Sequence, residues 1–406
     1  MASVDLALHA LWRRHALPGE LRFFQLYTPT ERRPGVPAER EILLQRRHEL
    51  PFPYELARGR SDEIEQSAGL IFWGDFLQSR EYVHQVAATL VEIHAEDRRD
   101  EAVRTAYRHL LLSEAAEDVL ARTLAFGGTL IFNRARDYQD AGYSAHLARF
   151  LRGCRRVWMR DVYSAQRAAA IRGSGGAYPL GVDASLLLHD EDLAPLPRAG
   201  CFAGSAHGRA GIFFGRTGAR VPALARFARD LCRRLQTEAE WLPWFDPEAR
   251  PALLPETREA FPAMRVEETP EPPLVGDVLA RLGEYDFVVT DTYHLCVNAW
   301  RAGVPALCLG SAVSSREPYD VSFGWCCAWR DKRHTFYAMH DAMEYYVFAE
   351  ELADRTARAN RLLYTEDLLR EKDLAAAVVS TVRSRAAAVE ADLVRELSAM
   401  RRGAGG

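Results

Sequence analysis

Five short stretches hold residues whose types and spacing could do chemistry, and each lies at the end of an apolar run. Asp291-Thr292-Tyr293-His294 follows the apolar segment 285–290 and precedes a helical pattern that stops at Gly303-Val304-Pro305. An imidazole at a helix start faces the positive end of the helix dipole, so His294 is suited to bonding a phosphate or moving a proton. Arg160 ends the run Val157-Trp158-Met159 and is followed by Asp161 and Ser164. A guanidinium there fits a carboxylate or phosphate through two parallel charge-assisted bonds, while an Arg160–Asp161 surface pair is the plainer reading.

The other three stretches read more evenly. Gly74-Asp75 follows segment 68–73, where Asp75 could take a proton from an acceptor hydroxyl or cap the next helix. Gly127-Gly128 before Thr129 could open backbone amides to an anion, although a tight turn is the simpler use of two glycines. Asp183 lies in the apolar stretch Pro179–Ala184 and needs a partner there, either as an orienting carboxylate or as a support for Arg160. Lys332 is notable because Lys332 and Lys372 are the only lysines among 52 basic residues. An ammonium acts as a point-charge anion ligand or proton donor, unlike a guanidinium. No cluster of residues has metal-ligand spacing.

Positioning these residues requires alternating strands and helices. Strands are expected at 21–27, 68–73, 128–133, 155–159 and 177–188, with helices at 39–48, 79–96, 99–124 and 142–152. Residues 189–209, charged and then rich in Pro, Gly and Ala, read as a connection. A second series follows: strands 210–215, 239–245, 263–267, 285–290 and 304–309, and helices 221–236, 274–282 and 293–302. The expected fold is α/β, with two Rossmann-like domains, 1–195 and 210–345, facing a cleft. In the tail, 346–406, Val378, Val382, Ala386, Val389, Leu393, Leu397 and Met400 form one apolar stripe on a long C-terminal helix, expected to pack across the domains.

Composition narrows the function classes. The chain has 406 residues, 48% hydrophobic and 27% charged, with a net charge of −4, so no overall field favours nucleic acid or anionic lipid. Arginine dominance with abundant Ala and Gly suits a GC-rich bacterial coding sequence. Seven cysteines lack C-x-x-C spacing, and adjacent Cys326-Cys327 fit neither a zinc knuckle nor an ordinary disulfide. With no signal-like leader and no membrane-spanning run, a cytoplasmic protein is expected. The oligomeric state stays open, a homodimer included.

In this order the motifs resemble the polysaccharide pyruvyl transferase family from about Leu70 to Leu309. The resemblance rests on Gly74-Asp75, Gly127-Gly128, Arg160-Asp161 with Ser164, Asp183, and His294 with Gly303-Val304-Pro305. It implies a glycosyltransferase-B-like architecture and transfer of pyruvate from phosphoenolpyruvate to two sugar hydroxyls as a ketal, with no cofactor beyond the donor. His294 and Arg160 would hold the donor or deliver the proton, Asp75 would serve the acceptor hydroxyl, and Asp183 would orient. Thr292 stands where the family carries an arginine. This departure motivates two alternatives: a glycosyltransferase with a nucleotide-sugar donor, Tyr293 stacking on the base, or a catalytically inactive relative that acts as a binding partner.

Overall fold

Among the described residues, the β-branched and aromatic runs pair in parallel, as expected when strands are joined by crossover helices. The computed structural model describes residues 2–27, 50–74, 77–173, 178–198, 200, 202, 204–215, 221–244, 252–267, 273–310 and 331–400. The chain divides into two units. One contains the described residues up to Leu188 together with those from Ala386 onward, and the other is His189–Arg385.

The first unit starts with helix α1 (Ala2–Arg14). A two-stranded pair, β1 (Phe23–Gln25) and β2 (Tyr54–Leu56), then leads into the short helix α2 (Ser61–Glu65). Its main sheet has the order β3-β4-β5: β3 (Leu70–Trp73), β4 (Thr123–Gly128) and β5 (Arg156–Met159). Between them run α3 (Arg80–Glu92), α4 (Arg99–Leu111), α5 (Glu117–Ala121) and α6 (Ala141–Gly153), and α7 (Val162–Arg172) follows β5. Side-chain oxygens start the helices: Ser79 for α3, Asp140 for α6 and Asp161 for α7. Gly173 closes α7 in the left-handed conformation.

The second unit holds five strands in the order β10-β9-β8-β6-β7. They are β6 (Arg209–Phe213), β7 (Glu238–Trp241), β8 (Phe287–Thr290), β9 (Ala306–Gly310) and β10 (Tyr346–Phe348). The helices are α8 (Val221–Leu235), α9 (Leu253–Ala260), α10 (Val275–Leu282), α11 (Tyr293–Arg301), α12 (Lys332–Met339) and α13 (Arg355–Arg370). Both β8 and β9 are buried along their whole length, the usual state of central parallel strands. Helix α14 (Lys372–Met400) begins in this unit and ends in the first. Val378, Val382, Ala386, Leu393 and Leu397 of its apolar stripe are buried.

The molecule is thus α/β, with a Rossmann-like parallel sheet in each unit and a long C-terminal helix, the class expected from the sequence. Local boundaries differ. The expected strand 128–133 is a turn, and the strand is Thr123–Gly128, because the expected helix 99–124 breaks where Leu112 turns left-handed (φ 49°). Segment 177–188 forms no strand among its described residues. Leu180 makes one bridge to Met159, and Ala184–Leu187 is a 3₁₀ turn started by Asp183. Segment 263–267 is likewise a single bridge at Arg265. The division of the chain falls after Leu188, and residues 346–385 belong to the second unit rather than to a separate tail. The expected helix 39–48 lies outside the described residues, as do Asp75 and Cys326-Cys327.

Candidate functional site

In the first unit, the carboxyl ends of β3 and β4 approach the 182–184 segment at two glycines. Gly74 and Gly127 both have φ +71°, and the Gly74 amide donates to the Phe126 carbonyl at 2.7 Å. A Cβ on Gly127 would sit 3.3 Å from the Val182 carbonyl oxygen and 3.5 Å from Gly74 Cα, so glycine permits both the turn and the close approach. Arg160 joins this cluster: its amide donates to the Gly128 carbonyl at 2.9 Å, and its Nη1 donates to Asp183 Oδ2 at 3.2 Å. Their side chains are 6% and 1% exposed. Asp183 also accepts from the Ser185 amide at 3.1 Å and from the Ser185 hydroxyl.

The partner of Arg160 is therefore Asp183, and the adjacent Asp161 has other bonds. Asp161 Oδ1 accepts from the Ser164 amide at 2.8 Å, and Oδ2 accepts from Thr129 Oγ1 at 2.6 Å and Ser164 Oγ at 2.8 Å. Ser164 Oγ in turn accepts from the Leu130 amide, and Thr129 Oγ1 from the Ile131 amide. The Leu130 and Ile131 amides, just after the Gly127-Gly128 pair, are thus engaged by hydroxyls, which brace this turn. Helix α1 covers the same pole. The Val4 carbonyl accepts the Trp73 indole N–H at 2.6 Å, and Val4 Cγ1 lies 2.5 Å from where a Gly74 Cβ would stand.

The carboxyl end of β8 in the second unit is arranged differently. Asp291 is fully buried; its Oδ1 accepts from the Gly215 amide at 2.6 Å and from Thr292 Oγ1 at 3.1 Å, tying the ends of β6 and β8. Because the Thr292 hydroxyl is turned to Asp291, α11 starts without a side-chain cap. His294, 8% exposed, sits in the first turn of α11, and its carbonyl accepts from Asn298 Nδ2 at 2.8 Å. The Tyr293 ring meets the His294 ring edge-on, with centroids 5.0 Å apart, and Lys332 Nζ lies 4.7 Å from the Tyr293 centroid. Thr292, Tyr293, His294 and Lys332, all chosen from sequence, thus converge. Tyr293 is only 4% exposed and is enclosed by Lys332, His294 and Phe336, so it does not offer a face for stacking on a base.

The start of α12 is fastened to the start of α11. Arg333 Nε lies 2.9 Å from each oxygen of Asp331, and its Nη1 donates to the Asp291 carbonyl at 2.6 Å. Burial alone would raise the Asp331 carboxyl, but the Arg333 guanidinium outweighs it and holds the group below the usual carboxylate range. Asp331 also caps α12, accepts from Tyr346 at 3.1 Å, and so fixes the backbone that carries Lys332. Sequence reading passed over this Asp331–Arg333 clasp; its signal was the charged run Asp331–His334 after a long interruption of the α/β pattern. Arg301 sits at the opposite end of α11, bonded to Asp190 at 2.8 Å. Among the described residues no group of three or more His, Cys, Asp or Glu side chains could hold a metal ion, and no helix is long and apolar enough to cross a membrane.

No known family profile matches the chain, and no curated protein does. Solved structures show a likeness in chain path. The UDP-GlcNAc 2-epimerase from Neisseria meningitidis, bound to UDP-GlcNAc, is 10% identical over 98% of this chain and 96% of its own, with a TM-score of 0.49. Os79 from O. sativa, in complex with U2F and trichothecene, is 12% identical over 98% and 97%, with a TM-score of 0.46. Medicago truncatula UGT71G1, complexed with UDP-glucose, is 12% identical over 98% and 95%, also at 0.46.

Proposed function

We propose that this protein is a transferase that takes a phosphorylated donor at the start of α11, and that the donor is a nucleotide-diphosphate sugar. The observation carrying this reading is Lys332, laid over Tyr293 beside His294 at the uncapped, positive end of a helix that follows a buried parallel strand. Helix dipole and ammonium together attract a diphosphate. His294, in the first turn of the same helix, would bond that phosphate or pass a proton to the leaving group. A carbohydrate hydroxyl is the acceptor in this reading.

Charge favours a nucleotide sugar over phosphoenolpyruvate. The latter presents a carboxylate as well as a phosphate, and each needs a cation. Among the described residues, the arginines singled out at the strand ends already bond carboxylates: Arg160 to Asp183, Arg333 to Asp331 and Arg301 to Asp190. Pyruvyl transfer remains the second reading, favoured by the order of the motifs and by the meeting of Arg160 with Asp183.

Thermal shift with separate donors decides between them. UDP- or dTDP-sugars should raise the melting temperature by several degrees, since a ligand at a hundred times its Kd adds about 2.7 kcal/mol, and phosphoenolpyruvate should leave it unchanged. A rise with phosphoenolpyruvate alone reverses the order of the two readings. No rise with either donor removes the donor site.

A further inference from the structure

Away from both strand-end clusters, the first unit carries a surface groove of about 420 Å³, a volume typical of small-ligand sites. Its walls are the turn after β2, the first turn of α2, the turn between α3 and α4, and one face of α4. Thr105, Arg108 and His109 stand three and four residues apart, so they share that face of α4. Gly59, at φ +76°, makes the turn after β2, and a Cβ there would meet nothing within 4 Å, so the backbone edge is open.

The chemistry of the lining is balanced. Arg58 and Arg108 oppose Asp62 and Glu96. Burial, with the Arg108 charge beside it, lowers the His109 pKa, so at neutral pH the ring is uncharged with one donor and one acceptor. Thr105 Oγ1 donates to Glu96 Oε1 at 2.5 Å, and Arg108 reaches Glu114 at 2.8 Å, which holds these side chains in place. A phosphate or carboxylate ligand would meet two carboxylates here, and a cationic ligand two guanidiniums. A neutral ligand that alternates donors and acceptors at every carbon meets neither penalty.

The geometry points to a saccharide-binding groove formed by Arg58, Asp62, Glu96, Thr105, Arg108 and His109. Guanidinium forks and carboxylates each bond vicinal hydroxyls in pairs, which gives the site its specificity for a polyhydroxylated ring over other neutral molecules. It engages sugar independently of the donor at α11.

Saturation-transfer NMR on the full chain tests this, with glucose, N-acetylglucosamine and maltose as probes, inorganic phosphate, read by the broadening of its phosphorus-31 line, as the anionic control, and no nucleotide present. At least one saccharide should receive saturation. The Glu96→Gln, Arg108→Gln double variant should weaken binding by about tenfold or more as two charged hydrogen bonds become neutral ones, with its melting curve unchanged. Should that variant misfold, Asp62→Asn on the exposed first turn of α2 gives the same readout. Absence of saturation from all three sugars, an undiminished signal in the variants, or binding of phosphate in place of sugar overturns the assignment. Because no donor is present, none of these outcomes bears on the reading at α11.

Discussion

The carboxyl ends of the two sheets carry similar side chains and use them in opposite ways. At the first pole a guanidinium and a carboxylate meet below a roof: Arg160 and Asp183 are buried together and α1 lies across Gly74. At the second pole a cation lies on an aromatic ring beside an imidazole, and the adjacent helix begins without a cap. The same strand-end rule selected both poles. What separates them is the element over the strand ends: α1 lies across the first pole, whereas α11 begins at the second without a side-chain cap. An ionic pair without solvent holds the fold only while both members remain, whereas a cation over a ring can turn to an arriving phosphate.

The contrast is sharpest in the response to mutation. Removing the carboxylate at the first pole should have the largest effect: Asp183→Ala takes away a buried carboxylate bonded to the buried Arg160 guanidinium and costs about 3–5 kcal/mol, roughly a 10 °C drop in Tm, read by calorimetry. Pairing it with Arg160→Met should restore most of the loss. If Asp183→Ala melts like the parent, the pair is not structural and Arg160 returns as a ligand for donor. A middle effect is expected at the clasp of the second pole. The Asp331 carboxyl is held low when folded, so it stabilises at neutral pH and that contribution disappears as pH falls from about 4 through the folded-state value. Asp331→Asn should cost about 1–3 kcal/mol at pH 7 and flatten this part of the acid limb of a stability–pH curve. An unchanged limb would show that Arg333 fixes α12 by its bond to the Asp291 carbonyl alone.

The smallest stability effect, and the largest on ligand, belongs to Lys332. Lys332→Met should change stability by less than about 1 kcal/mol while abolishing the thermal shift given by a nucleotide sugar. A variant that still responds fully to the donor would place the phosphate elsewhere and erase the distinction between the poles.

How much of this was legible follows from how local each feature is. The succession β8, α11, β9 could be read directly, because Phe287–Thr290 is β-branched and apolar, and Gly303-Val304-Pro305 marks the end of a helix. Strand β4 was displaced by five residues because Leu130-Ile131-Phe132 is as apolar as the real strand; its first two members are buried in a turn held by Thr129 and Ser164. The 183–187 turn misled for a similar reason: Leu186, Leu187 and Leu188 are buried without pairing as a strand. At the site, His294 and Lys332 could be named from chain position and rarity, but that Lys332 lies on Tyr293, 39 positions earlier in the chain, is a tertiary fact. The partner of Arg160 was equally hidden, since Asp161 is its neighbour in sequence and Asp183 its neighbour in space.

The C-terminal helix has a consequence for the order in which the protein is made. Asp392 accepts the Trp158 indole N–H at 2.8 Å, Glu390 bonds Arg14 at 2.8 Å, and Leu393 and Leu397 are buried. These residues complete the unit built on β3, β4 and β5, yet they are synthesised after the whole of the second unit. The first unit must wait, with an apolar groove uncovered, until translation has passed residue 397, so of the two units the one begun earlier is not the one finished earlier.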